Sequence, residues 1–204
     1  MGIIAADLFL TLDGVYQAPG GRDEDREGDF AYGGWQAPFP DEAIGASIMR
    51  SIERTDALLL GRRTYDIFSS YWPFQSLDDP VAAKFAAIPK YVVSRTLTDP
   101  SWANTTVLPD AAAVGRLRTE FDEVHTWGSG ELLRSLLAEG LLDRLHLWIY
   151  PIALGTGKRL FDAGVVPMTF RPVQPAVVSA SGVMALVLEP AGDVETGEMG
   201  AAGA

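Results

Sequence analysis

Asp56-Ala57-Leu58-Leu59-Leu60-Gly61-Arg62-Arg63-Thr64-Tyr65 is the stretch from which the fold is read. A short apolar strand over 56–60 passes through a single glycine into a polar turn and a helix that runs to about Tyr71. Two further stretches repeat the pattern. A buried strand over 91–94 ends in Ser94-Arg95-Thr96, and one over 124–127 ends in Gly128-Ser129-Gly130, with a helix over 131–139 behind it. Strands alternating with helices predict a mainly parallel sheet covered on both faces.

In such a sheet, ligands gather at the carboxyl ends of the strands. The first turn of a following helix offers unpaired N–H groups and a partial positive charge, which suit a phosphate. Glycine lets the phosphate come close to the backbone. Arginine adds a charge-assisted contact, and serine or threonine adds a hydroxyl. Each turn alone is equally a plain structural turn; their order along the chain gives them joint weight. No Gly-x-Gly-x-x-Gly follows the first strand, so the Rossmann fingerprint is absent.

Working outward, residues 3–12 form a first strand with Ala6, Leu8 and Leu10 on one apolar face and Asp7 and Thr11 on the other, expected to line a cleft in part. A loop over 15–40 follows, rich in Gly, Pro, Asp and aromatics. Its length and its Phe30, Tyr32 and Trp35 point to a loop with a function. A helix is expected over 41–54, with Asp41 as N-cap and Ile44, Ile48, Met49 and Ile52 on its apolar side. Further helices are expected over 80–87 and 111–121, and a minor strand around Val107. A long alternating strand sets Leu145, Leu147 and Ile149 against His146, Trp148 and Tyr150. Strands over 175–180 and 183–189 flank Ser181-Gly182 as a hairpin. Residues 1–190 are expected to form one domain and 191–204 a disordered tail.

Composition narrows the function. Of 204 residues, 48% are apolar, enough for one sizeable core. A net charge of −11 gives little support to a nucleic-acid or anionic-membrane partner. There is no apolar run long enough for a membrane helix and no basic-then-apolar leader, so a cytoplasmic location is expected. The absence of cysteine removes disulfides, cysteine metal sites and thiol nucleophiles. With two histidines, His125 and His146, no multi-histidine metal site is expected, and both read as packed or surface residues.

The chain resembles the dihydrofolate-reductase-like superfamily, in the branch that includes the reductase domain of bacterial riboflavin biosynthesis. The resemblance spans roughly 3–189. Its carriers are Thr11-Leu12-Asp13-Gly14, Leu60-Gly61-Arg62-Arg63-Thr64-Tyr65, Val93-Ser94-Arg95-Thr96, Gly128-Ser129-Gly130-Glu131-Leu132, and Tyr150-Pro151 with Leu154-Gly155-Thr156-Gly157. It implies an α/β three-layer fold and an NADPH-dependent hydride transfer to a small heterocyclic substrate, pterin-like or aminopyrimidine-like. A scaffold protein that binds NADP(H) without the chemistry is the alternative.

The resemblance also implies roles. Gly61, Arg62, Arg63 and Thr64 would hold the pyrophosphate. Ser94, Arg95 and Thr96 would contact the adenosine and its 2′-phosphate. Gly128, Ser129, Gly130, Glu131 and Leu132 would cover the pyrophosphate from the neighbouring strand. Gly14 and the loop through Trp35 would lie by the nicotinamide and gate it. Pairing through the C-terminal strands would make a homodimer.

The chain departs from that branch at Trp127, where the riboflavin-pathway reductases carry a glutamate. A fused deaminase with a cysteine-built zinc site is not expected either. True dihydrofolate reductases bind the pterin with a carboxylate on the helix after the first loop, and Asp41 and Glu42 stand at that helix's start. Both are equally a cap and a first-turn charge. Asp13 is the other candidate, equally a turn residue held by its own backbone. Asp7 could face the cleft. Lys158, Arg159 and the acidic run over 23–29 read as solvated charge.

Overall fold

The first strand, β1 (Ile3–Thr11), lies at the middle of the sheet and is buried on both faces. The computed structural model describes residues 1–199; the end of the expected tail, 200–204, lies outside the described residues. The elements that follow β1 are helix α1 (Glu42–Arg54), β2 (Ala57–Gly61), α2 (Arg62–Tyr71), α3 (Pro80–Ala87), β3 (Lys90–Val93) and β4 (Thr105–Leu108). Then come a 3-10 helix (Ala112–Thr119), β5 (Glu123–Trp127), α4 (Gly130–Ala138), β6 (Arg144–Tyr150), β7 (Phe170–Pro172), β8 (Val177–Val178) and β9 (Met184–Pro190).

The strand order is β4-β3-β2-β5-β1-β6-β9-β7, with β8 also on β9. Pairings from β4 to β6 are parallel, and those of β9 with β6, β7 and β8 are antiparallel. The expected mainly parallel sheet with a C-terminal hairpin is the observed one, and Gly182 turns the hairpin with φ 82°.

Alternation along the strands sorts the core into two layers. Ala6, Leu8 and Leu10 of β1 pack with Leu145 and Leu147 of β6 under α4 and the 3-10 helix. The opposite face, with Leu58, Leu60, Trp127, Trp148 and Tyr150, packs under α1, α2, α3 and the long loop. Leu58, Leu59 and Leu60 are fully buried, each contributing roughly 1.5–3 kcal/mol.

The expected helix over 111–121 is a 3-10 helix instead. Gly115 sits within it and weakens an α-helical turn. The strand β7 was not expected, because three residues ending in Pro172 carry almost no pattern; a proline is tolerated there on an edge. The first tail residues are tied to Thr169, just ahead of β7, since Ala191 N–H donates to Thr169 O and Thr169 Oγ1 donates to Asp193 O.

Lys90 on β3 is fully buried and pairs with no carboxylate among the described residues. Its ammonium donates to Ala86 O and lies 4.8 Å from the Trp102 ring centre. Burial pushes it down to about 8. Below that pH the folded and unfolded chains are both protonated, so the full cost of the buried charge is felt. As pH rises from about 8 towards the ordinary lysine value, only the folded chain gives up its proton and the cost is relieved. Lys90→Met is therefore expected to stabilise the fold at pH 7 by on the order of 2 kcal/mol, an advantage that shrinks above pH 8. Urea unfolding of both chains at about pH 7 and about pH 9.5, two points spanning the transition, checks it.

Candidate functional site

The three glycine and serine turns lie side by side at the carboxyl edge, because β3, β2 and β5 are consecutive in the sheet. β2 and β5 pair only at Ala57 with Val124 and Leu58 with His125, and beyond those residues their ladder ends. The turns are nonetheless stitched together. Gly61 N–H donates to Ser129 Oγ at 3.1 Å, and Ser129 N–H donates to Thr64 Oγ1 at 3.2 Å. A Cβ on Gly61 would stand 3.5 Å from Leu132 Cβ, so the two helix starts are in van der Waals contact.

Neither helix start carries a side-chain cap: Gly61 has none to offer, and the Ser129 side chain makes no capping bond to α4. Ser129 adopts φ 53° and Gly128 φ 68°, a left-handed pair that turns β5 into α4. First-turn N–H groups without a protein cap favour an anion. One strand over, Ser94 Oγ accepts from Thr96 N–H and Leu97 N–H, which fixes the turn that presents Arg95. Arg95 is exposed and makes no ion pair among the described residues. Two adjoining uncapped helix starts and an arginine with no protein carboxylate fit a multiply charged phosphate ligand.

Arg62 and Arg63 are committed elsewhere. Arg62 pairs with Asp66 on its own helix, and Arg63 pairs with Asp25 at 2.7 Å in the long loop. Glu131 is exposed in the first turn of α4, the one acidic group there. The Tyr16 ring rests on Gly130, where a Cβ would come within 2.3 Å of Tyr16 Cζ. Tyr16 therefore covers the start of α4.

The long loop is packed, not merely exposed. Trp35 is 4% exposed, donates its Nε1–H to Gln17 O and meets Tyr150 edge-on at 5.4 Å. Asp25 is buried and takes both Arg63 and Lys158, which corrects the reading of the acidic run as wholly solvated. Lys158 and Arg159 are ion-paired too, Arg159 with Asp13 at 3.1 Å.

Asp13, Trp35, Asp41 and Glu42 share no hydrogen bond or ion pair with one another among the described residues. Asp13 accepts from Thr11 Oγ1, Leu154 N–H, Gly155 N–H and Arg159. Against a burial that alone would raise it, these bonds hold its carboxyl well below the usual range. Asp41 caps α1 through Ala43 and Ile44 N–H and also accepts Ser181 N–H from the hairpin turn. The Ser181 bond leads in drawing it down to about 2. Both carboxylates thus have clear structural work as ionised acceptors. Glu42 is exposed at the first position of α1.

What the sequence reading missed is a buried cluster under α1. Asp7 on β1 lies between His125 on β5 and His146 on β6, since β1 pairs with both strands. Asp7 Oδ2 is 2.6 Å from His125 Nδ1, and Asp7 Oδ1 is 2.8 Å from His146 Nδ1. Ser51 Oγ donates to Asp7 Oδ1. Glu123 stands 3.0 Å from His125 Nε2. Burial alone would raise Asp7, but the charge and hydrogen bond of His125, joined by His146, hold it well below the carboxylate range. His125 is pushed the other way, up to about 9, by Asp7 and Glu123 acting against burial. The second face of β1 therefore carries a closed polar cluster at Asp7, where a cleft lining was expected.

Towards the carboxyl edge the same face turns aromatic. Trp127 stacks on Trp148 with ring centres 5.9 Å apart and planes at 11°, and Phe9 packs against both. The buried Trp127 Nε1–H has no hydrogen-bond partner among the described residues, a state that costs about 1–3 kcal/mol. An acceptor on a ligand would relieve it.

Three solved structures share this architecture. A protein named for riboflavin biosynthesis in Shewanella sp. PV-4 superposes with a TM-score of 0.71 at 21% identity, covering 94% of this chain and 99% of that one. A pyrimidine reductase-like protein of Corynebacterium diphtheriae gives 0.59 at 14% identity, with 94% and 93% coverage. RibD of Acinetobacter baumannii gives 0.61 at 13% identity, with 94% of this chain matching 58% of that one. At these identities the likeness speaks to the fold, which is dihydrofolate-reductase-like as expected. The uncharacterized protein YyaP of Bacillus subtilis (strain 168) is 26% identical over 166 residues, 78% of this chain and 79% of that protein. The RibD C-terminal domain model matches residues 3–180, so the chain belongs to the RibD C-terminal domain family.

Proposed function

We propose that the protein is an NADPH-dependent reductase that passes a hydride to a small heterocyclic substrate, pterin-like or aminopyrimidine-like. One observation carries the reading: two uncapped helix starts, at Gly61 and Gly130, adjoin at the sheet's carboxyl edge, with unpaired Arg95 on the next strand. NADPH, when bound, supplies the hydride. The chain's own residues then have separate tasks.

The first-turn N–H groups of α2 and α4 hold the diphosphate, and Ser129 and Thr64 keep those two turns locked together. Arg95, with Ser94 and Thr96 shaping its turn, takes the 2′-phosphate, which favours NADPH over NADH. Arg63 and Lys158 act at one remove, by fastening the loop through Asp25. Gly14, with φ 79°, turns the chain from β1 towards Tyr16 and the loop that shields the reacting atoms from water. The unpartnered Nε1–H of Trp127 offers a hydrogen bond to an acceptor on the ligand, in the position where riboflavin-pathway relatives carry a glutamate.

A second reading, NADP(H) binding without turnover, draws on the carboxylates. Asp13 and Asp41 are each held ionised by several hydrogen bonds, which disqualifies them as proton donors at neutral pH. The two readings part in one assay. NADPH oxidation is followed with dihydrofolate, other pterins, an aminopyrimidine, quinones and carbonyl compounds. Turnover with a pterin or aminopyrimidine is the expected result. Saturable NADPH binding with no turnover anywhere in the panel establishes the second reading.

The family resemblance and the surface together support a homodimer. Val173, Val177 and Val178 are exposed on or beside the C-terminal strands, where apolar side chains favour a partner. Sedimentation is expected to give twice the chain mass, and Val178→Lys to shift it towards one.

A further inference from the structure

We propose that Asp7, His125 and His146 form a structural binding site for a zinc-class divalent cation, buried between the sheet and α1. The ligand atoms come from three neighbouring strands, β5, β1 and β6, and lie within 4.8 Å of one another. Both imidazoles turn the same nitrogen, Nδ1, towards the one carboxylate. Ser51 Oγ closes the fourth side from α1, 3.1 Å from His146 Nδ1 and 3.5 Å from His125 Nδ1.

Tetrahedral zinc with nitrogen and oxygen ligands at about 2.0–2.1 Å sets those ligands roughly 3.3 Å apart. The Asp7 contacts, at 2.6 and 2.8 Å, need to open by roughly 0.5–0.7 Å to admit the ion. Imidazole and carboxylate together suit zinc better than magnesium or calcium, which take oxygen-rich sets.

The surroundings match a metal site as well. A ligating histidine needs its other ring nitrogen held, and a carboxylate does this best. Glu123 stands 3.0 Å from His125 Nε2, and Arg54 in turn pairs with Glu123. Asp7 and His125 side chains are fully buried, while His146 is 10% exposed and marks the way in. Phe9, Trp127 and Trp148 lie next along the same face, between the cluster and the carboxyl edge of the sheet. The ion's task is thus to fasten α1 to three strands, independent of whether NADPH is bound.

The chain makes the test clean, since it has no cysteine and these are its only two histidines. The untagged full chain is dialysed against Zn2+, with Mg2+ as control, and its metal content is measured. One zinc retained per chain, a raised unfolding midpoint and tetrahedral visible bands with Co2+ are expected. Asp7→Asn and His146→Gln are each expected to abolish retention, and Glu123→Gln to weaken zinc about 10–100-fold. Should Asp7→Asn fail to fold, His146→Gln at the partly exposed edge decides. Substoichiometric zinc on the unaltered chain, or retention unchanged in His146→Gln, overturns the proposal and leaves an ion-pair cluster only.

Discussion

Arg95→Ala is expected to weaken NADPH binding roughly ten- to hundredfold while leaving NADH binding nearly unchanged. The magnitude follows from the charge-assisted hydrogen bonds lost, about 1.5–3 kcal/mol, with each 1.4 kcal/mol worth about tenfold. Because Arg95 is exposed, solvent screening places the effect towards the lower end. The side chain pairs with no carboxylate among the described residues, so its removal breaks no ion pair. Arg63→Ala makes the informative contrast. It unfastens Asp25 and the long loop, and so should weaken both cofactors alike. Calorimetric titration of each variant with each cofactor reads the difference. Equal losses of NADPH and NADH in Arg95→Ala would remove the 2′-phosphate assignment.

The largest expected effect on stability belongs to Asp7→Ala. The substitution strips the shared acceptor from His125, His146 and Ser51 at once, leaving three buried donors without it, with Glu123 alone still beside His125 Nε2. Breaking a buried charged pair from one side costs about 3–5 kcal/mol. Against a total of roughly 5–15 kcal/mol for a domain of this kind, that is a third or more. Urea midpoints at neutral pH should show it directly. Asp7→Asn, which keeps the shape and one acceptor oxygen, is expected to cost less. A loss below about 1 kcal/mol in Asp7→Ala would mean that the cluster is relieved by relaxation or water.

These two residues also mark what could be read in the sequence. Arg95 follows a strand and a serine, and both features are local, so the turn that carries it was legible from spacing, while its proposed phosphate role came from the family resemblance. The α3 bounds, the Asp41 cap of α1 and the face of His146, Trp148 and Tyr150 were legible for the same reason: each depends on a few neighbouring residues. Asp7, His125 and His146 were visible on their separate strands. Their meeting required knowing that β1 runs between β5 and β6, and no periodicity carries strand order. Strand parity was the one available signal, since Asp7 is out of phase with the apolar Ala6, Leu8 and Leu10.

The partners of the candidate carboxylates were hidden for a related reason. Asp13 was readable as a turn residue, but its bonds to Leu154, Gly155 and Arg159 span more than 140 positions of chain. The acidic run looked solvated because Arg63 and Lys158, which bury Asp25 among them, come from distant elements. Sequence proximity says little about such long-range pairing.

A crystal structure of the chain soaked with NADPH tests the central claim most directly. The diphosphate is expected against the first turns of α2 and α4, the 2′-phosphate within hydrogen-bond distance of Arg95, and the Tyr16 ring moved off Gly130 or stacked on the ligand. A cofactor bound away from the Gly61 and Gly128 turns, or a 2′-phosphate out of reach of Arg95, would contradict it.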